Sequence, residues 1–205
     1  MHTYFHTLPR RAIFVFASLI FFLTFFGLNA VAAPTLPVAH SHSSLVANAE
    51  VALGLKYENG HGVAKNYAKA FHYFQLAAAQ GSAQGEVRLG DMYYSGYGVT
   101  QDYAKALHYY QLSAAQGNAD GEFNLGSMYE FGEGVPQDYA TAVRYFRLAA
   151  AQGNDSGETE LGYMYENGHG VTQDYAKALH YYRLAAAQGN AAAADGVARL
   201  SKLIK

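Results

Sequence analysis

GVTQDYAKALHYYQLSAAQGNA runs from Gly98 to Ala119, and GVTQDYAKALHYYRLAAAQGNA from Gly170 to Ala191; the two stretches differ only at 111/183 and 113/185. Half of that interval is the true period. A shift of 36 residues superposes Gly54, Gly90, Gly126 and Gly162. It also superposes Val63, Val99, Val135 and Val171, then Tyr67, Tyr103, Tyr139 and Tyr175, then Gly81, Gly117, Gly153 and Gly189. Self-similarity at such a period signals one supersecondary unit stacked on copies of itself. The units cover about 47–82, 83–118, 119–154 and 155–190, with a half unit at 191–205.

Each unit reads as two helices. In the second unit, Ser82 is an N-cap for a helix from Ala83, with Glu86 in its first turn, and the helix stops at Ser95-Gly96-Tyr97-Gly98. Asp102 caps a second helix from Tyr103 that Gly117 ends. Leu89, Met92 and Tyr93 recur at spacings of three and four, as do Ala106, Tyr109, Tyr110 and Ala114, so both helices are amphipathic. One such pair cannot cover its own apolar stripe; neighbouring units must. The fold expected is all-α, an α/α solenoid of four 36-residue helix-turn-helix repeats and a C-terminal capping helix. In the cap, Val197-Ala198 fall on Leu161-Gly162, and Arg199, Lys202 and Lys205 give a solvated outer face. Glycines inside the first helices (Gly90, Gly126, Gly162) are unfavourable for a helix and predict close crossings into which tyrosines pack.

The unit Leu-Gly-x-Met-Tyr-x-x-Gly-x-Gly-Val-x-x-Asp-Tyr-x-x-Ala-x-x-Tyr-Tyr/Phe-x-x-Ala-Ala-x-Gly-Asn resembles the Sel-1-like repeat (SLR), a relative of the tetratricopeptide repeat. The resemblance spans about Ala47 to Lys205. It implies a right-handed superhelix that acts as a non-enzymatic adaptor for other proteins. Exported bacterial members are associated with signalling regulation, envelope maintenance and host interaction. Some secreted relatives carry a disulfide in each repeat; with no Cys in this chain, that stapling does not carry over.

Outward from the repeats, the N-terminus reads as an address. Arg10 and Arg11 precede the charge-free run Ala12 to Leu28, and Ala30-Val31-Ala32 offers a small-residue exit. Residues 1–32 are expected to be a signal peptide, or an N-terminal anchor in the inner membrane if uncleaved. Either way, the repeats lie outside the cytoplasm, periplasmic or secreted. Residues 33–44 (APTLPVAHSHSS) lack periodicity and are expected to form a flexible linker, on which His40 and His42 have no fixed geometry for a metal.

Composition excludes much else. A net charge of −2 over 205 residues leaves no footprint for nucleic acid. Without Cys there is no thiolate nucleophile or cysteine-ligated metal. Ser-x-x-Lys, G-x-S-x-G and H-E-x-x-H do not occur, which disfavours a β-lactamase-like hydrolase. Glu58/His61 and Glu166/His169 bring acid and imidazole close, but their Gly-x-Gly frame is the interhelical turn of every unit, with Tyr97 and Glu133 in the same slot. His72, His108 and His180 recur at one position of three repeats, with Arg144 in the third unit, too far apart to share an ion. No catalytic residue, cofactor or metal site is therefore expected.

First helices usually line the concave side of such solenoids, and residues that vary there while the frame stays constant are candidates for partner contact. These are Arg88, Asp91, Tyr94, Phe123, Asn124, Glu130, Glu160, Tyr163 and Glu166. Tyr94, Phe123 and Tyr163 are the expected aromatic anchors, with Glu130, Glu160 and Glu166 selecting a basic or amine-bearing protein or peptide. The alternative ligand is a cell-wall glycan or muropeptide, for which stacked tyrosines are suited. Membrane contact is expected only through the N-terminal segment.

Overall fold

A computed structural model describes residues 38–204, and every element among them is helical. In chain order these are α1 (Val38–Asn59), α2 (Tyr67–Ala79), α3 (Ala83–Ser95), α4 (Tyr103–Ala115), α5 (Ala119–Phe131), α6 (Tyr139–Ala151), α7 (Asp155–Asn167), α8 (Tyr175–Ala187) and α9 (Ala191–Leu203). Odd-numbered helices open the repeats and even-numbered ones close them. Each helix packs on its neighbours in sequence, as a solenoid requires. First helices also touch one another (α1 with α3, α3 with α5, α7 with α9), whereas second helices make no comparable contact. The first helices thus form the tighter, inner layer.

The capping residues fix this register. The side chains of Ser82, Asn118, Asn154 and Asn190 accept from the backbone N–H three residues on, at 3.2, 3.0, 2.8 and 3.1 Å. Asn66, Asp102, Asp138 and Asp174 do the same for the second helices, satisfying N–H groups that the first turn leaves unpaired. Gly134, with φ +71°, shows why the turn needs its second glycine: a Cβ there would lie 2.9 Å from the Tyr103 carbonyl oxygen of the preceding repeat.

Phe74, Leu89, Met92, Leu125, Met128, Phe146, Leu161, Met164 and Leu200 are fully buried. The expected helix crossings are present. A Cβ on Gly90 would meet the Tyr110 ring at 2.5 Å, and one on Gly126 or Gly162 would meet Phe146 or Tyr182 at 2.6 Å. The abundance of tyrosine also has a packing explanation, because Tyr93–Tyr109, Tyr129–Tyr145 and Tyr165–Tyr181 stack in parallel within their repeats at 5.7–5.9 Å. On α9, Leu200 and Ala193 are fully buried and Gly196 lies against Tyr182.

The linker expected at 33–44 is corrected over its second half, because α1 already begins at Val38 and passes through His40 and His42. Residues 38–44 contain neither Gly nor Pro, and extending a helix already held by packing from Ala47 onward costs little per residue. No helix among the described residues is long and apolar enough to cross a membrane. The expected signal or anchor at 1–32 lies outside the described residues.

Candidate functional site: the inner layer

Adjacent first helices meet in a fixed register, residue n against residue n+33. Asn124 donates to Asp91 at 3.2 Å, and Arg199 donates to Glu166 through Nε at 2.8 Å and Nη2 at 2.6 Å. The expected contact residues fall along this line of junctions.

Arg88, Asp91, Phe123 and Asn124 line one shallow depression of about 290 Å³ together with Asp120 and Asp155. Asp91, Phe123 and Asn124 continue into a second, of about 300 Å³, with Tyr94, Tyr110, Ser127 and Phe131. Five of the nine expected residues are therefore brought together. Asp91 is the hub: it accepts from the Tyr110 hydroxyl at 2.9 Å and pairs with Arg88 at 3.5 Å. Burial raises the Asp91 carboxyl above its usual range, against the pull of Tyr110 and Arg88. Burial, with the Glu133 carboxylate beside it, pushes the Tyr94 hydroxyl up to about 12, so it stays protonated and able to donate.

The other four lie further along the layer. Tyr163 is 40% exposed and meets His169 edge-on at 5.7 Å. Glu160 is half-buried, and burial raises its carboxyl. Glu130 is only 4% exposed, and its Oε2 has no hydrogen-bond partner. Burial first, and Glu160 second, push the Glu130 carboxyl up to about 7. Glu166 is already engaged: besides Arg199 it accepts from the Tyr182 hydroxyl at 2.8 Å, and the Arg199 guanidinium leads in holding its carboxyl below the usual range. Of the three acids expected to select a cationic partner, Glu166 is thus already paired within the chain, Glu130 is buried with one oxygen unpartnered, and Glu160 is half-buried.

Three contributors to the layer were not foreseen. Phe131 is 64% exposed at the edge of the second depression, where the other repeats carry Asn59, Ser95 and Asn167; that mismatch was the available signal. Asp120 and Asp155 make the first depression acidic, three carboxylates facing one guanidinium. Glu86, read as a helix-dipole partner, and its equivalents Glu122 and Glu158 are also buried at 5% exposure, accepting from Gln116, Gln152 and Gln188 at 2.7, 2.7 and 2.8 Å. Each ties the end of a repeat to its start. Their joint 36-residue recurrence could have revealed the pairing.

Glu166 and His169 do not face each other as an acid–base pair would: the carboxylate turns to Arg199 and Tyr182, and the imidazole stacks on Tyr139 at 4.7 Å. Tyr97 fills the same turn slot and stacks on Tyr67 at 4.7 Å. The slot serves the junction between repeats. Among the described residues, no three His, Asp or Glu side chains converge as metal ligands.

Comparison with known proteins accords with this geometry. A family model described as the Sel1 repeat matches residues 47–82, 83–118, 119–154 and 156–190. The structure is similar to that of a protective antigen present in uropathogenic Escherichia coli strains that displays an SLR fold, with 42% identity and a TM-score of 0.67 over 75% of this chain and 32% of that one. It is also similar to a Sel1 repeat protein from Oxalobacter formigenes, with 29% identity and a TM-score of 0.71 over 75% of this chain and 62% of that one. Helicobacter pylori cysteine rich protein B shares the fold at 24% identity and a TM-score of 0.51, over 64% of this chain and 94% of that one. The chain spans less than two thirds of the first two relatives, and no curated protein matches it. With matches in all four repeats, on a helical frame that renews its caps, turns and junctions every 36 residues, the chain belongs to the Sel1 repeat family.

Proposed function

We propose that this chain is an exported, non-enzymatic scaffold whose inner layer binds a protein or peptide segment bearing apolar and cationic side chains. Sel1-repeat solenoids are in general protein-interaction folds; the inner face, the basic partner and export are the specific steps taken here. The observation that carries the reading is the pair of adjoining depressions from Arg88 to Phe131. Side chains that differ from repeat to repeat converge there on an otherwise repeated frame, with aromatic edges for burial and a carboxylate excess for charge selection. The charge-free run Ala12 to Leu28 after Arg10 and Arg11 supports export, as does the relative that serves as a protective antigen. A role in envelope signalling or host interaction follows from that location. The glycan alternative gains no observation of its own: each paired tyrosine turns one ring face to its partner, and neither depression of the inner layer is lined by these pairs.

The test is photocrosslinking in the producing cell, with a photoreactive residue placed at Arg88 or Asn124 on the inner layer, or at exposed Gln111 on α4. The expected result is one shared protein adduct from both inner positions and none from the outer one. Uncrosslinked chain is expected to begin at Ala33 by intact mass. Adducts from Gln111 alone would overturn the inner-face reading, and a chain retained in the cytoplasm would overturn export.

A further inference from the structure

We propose that Glu130 and Glu160 form a receptor for one arginine side chain of a partner protein, whose guanidinium completes the site as Arg199 completes Glu166 one repeat later. The proposal rests on the scaffold reading above and specifies the contact that would confer selectivity.

The two carboxylates occupy equivalent positions, and the solenoid displays the filled version itself. Glu166 receives a hydroxyl from Tyr182 and two N–H groups from Arg199. Thirty-six residues earlier the frame is unchanged but both donors are missing: Phe146 replaces the tyrosine, and Tyr163 stands where Arg199 would be. Glu130 is nonetheless as buried as a core residue, with Oε2 unpartnered. A hidden carboxyl without a donor is unfavourable for the fold alone, and a ligand that supplies one removes the penalty.

Glu160 gives the site its chemical preference. It lies on the neighbouring first helix one turn before Tyr163, the residue that the n+33 register sets against Glu130, so the two carboxyls belong to adjoining helices of one junction. A planar guanidinium can donate to both at once, whereas an ammonium is a single point of charge. Tyr163 stands at the same junction, and its exposed ring offers a face to an incoming cation. Four arginines of the solenoid are engaged elsewhere: Arg88 with Asp91, Arg144 over Tyr145, Arg147 with the Tyr165 hydroxyl and Arg199 with Glu166. None of these four is bonded to Glu130, which leaves the position to a cation from a partner.

The test follows the Glu130 side-chain carboxyl by carbon-13 NMR in the full chain, held in detergent micelles, as pH is varied. The probe is acetyl-Gly-Arg-Gly-amide, with the citrulline peptide as its uncharged match. The arginine peptide, up to about 10 mM, where a single ion-paired side chain binds, is expected to lower the Glu130 midpoint from about 7 by roughly one pH unit or more. The citrulline peptide is expected to leave it in place. Tyr163→Arg supplies the guanidinium internally, so it should lower the midpoint by itself and abolish the peptide response. An unmoved midpoint with the arginine peptide, an equal response to citrulline, or an unmoved midpoint in Tyr163→Arg each overturns the proposal. An inner-face adduct that survives Glu130→Gln removes the receptor and leaves the scaffold reading standing. An arginine response without any inner-face adduct does the reverse.

Discussion

Glu130 and Glu166 stand at the same position of consecutive repeats, on helices of equal length, above the same Met-Tyr step, and they differ in the donors that reach them. Glu166 is held by a hydroxyl and a guanidinium and is more acidic than a free glutamate; Glu130 has neither and titrates near neutrality. The frame of a repeat protein is set by the residues that recur. The chemistry of each position is set by the neighbour that happens to reach it, here α9 for Glu166 and α7 for Glu130.

The most drastic way to break the contrast is to end the chain at Gly189. That removes Arg199 together with the buried Leu200 and Ala193, leaves Glu166 with the Tyr182 hydroxyl but no cation, and uncovers Tyr182. A loss of about 2–3 kcal/mol is expected, chiefly from the leucine, because the Arg199 side chain is half-exposed and its ion pair adds little. Aggregation is expected to follow, read by urea unfolding and sedimentation. A monomer with full helicity per residue would show that α9 is no cap.

A finer comparison sets Glu130→Gln against Glu166→Gln across pH. The folded-state pKa of Glu130 is raised from 4.5 to about 7, so its favourable contribution is complete below pH 4.5 and lost as pH rises through 7. Glu130→Gln is thus expected to be near neutral at pH 4 and stabilising at pH 8. The gain should lie between about 1 kcal/mol and the roughly 3 kcal/mol that the full displacement would carry if no water reached the group. Glu166 has the opposite sign: its lowered pKa contributes stability above 4.5 that disappears as pH falls through the folded value. Glu166→Gln should cost stability at pH 8 and much less at pH 3. Urea midpoints over this range give both curves, and curves of the same sign would dissolve the distinction.

The smallest effect concerns another feature missing from the third repeat. Lys105 and Lys177 reach back to Asp102 and Asp174 at 3.3 Å and lie over Tyr93 and Tyr165, whereas the third repeat has Thr141, bonded to Asp138 at 2.7 Å. Thr141→Lys should gain no more than about 0.5 kcal/mol, since the exposed cation replaces an existing hydrogen bond. A change above about 1 kcal/mol in either direction would mean that this cap is not equivalent to the others.

Much of this was legible before any coordinates. Caps, turn glycines and the Leu-Met-aromatic core recur with the period, and what recurs in sequence must recur in space. The close crossings were readable too, because glycine inside a helix has no reason to recur unless something bulky lies against it. The fate of Glu130 and Glu166 was hidden for the converse reason. Their contacts run 33 residues along the chain to positions that vary, and no helical periodicity ties Glu166 to Arg199. The start of α1 was missed because a helix extended by its own packed continuation needs no signal of its own in residues 38–44. The sequence placed Phe123, Asn124 and Asp91 on one face, but not the carboxylates Asp120 and Asp155 that surround them.

The alternation at the helix crossing has a consequence for how such a chain can grow. Phe74, Tyr110, Phe146 and Tyr182 occupy one position, and both tyrosines send their hydroxyls to carboxylates on the inner layer. Each bond lies within one repeat, Tyr110 with Asp91 and Tyr182 with Glu166, at two different positions of the frame, so inserting or deleting whole repeats carries donor and acceptor together. What a single-repeat change alters is the seam: removing the third repeat would set Glu160 where Asn124 now donates to Asp91. Such a chain can lengthen or shorten by one unit only where the residues that meet across the new seam are matched in charge.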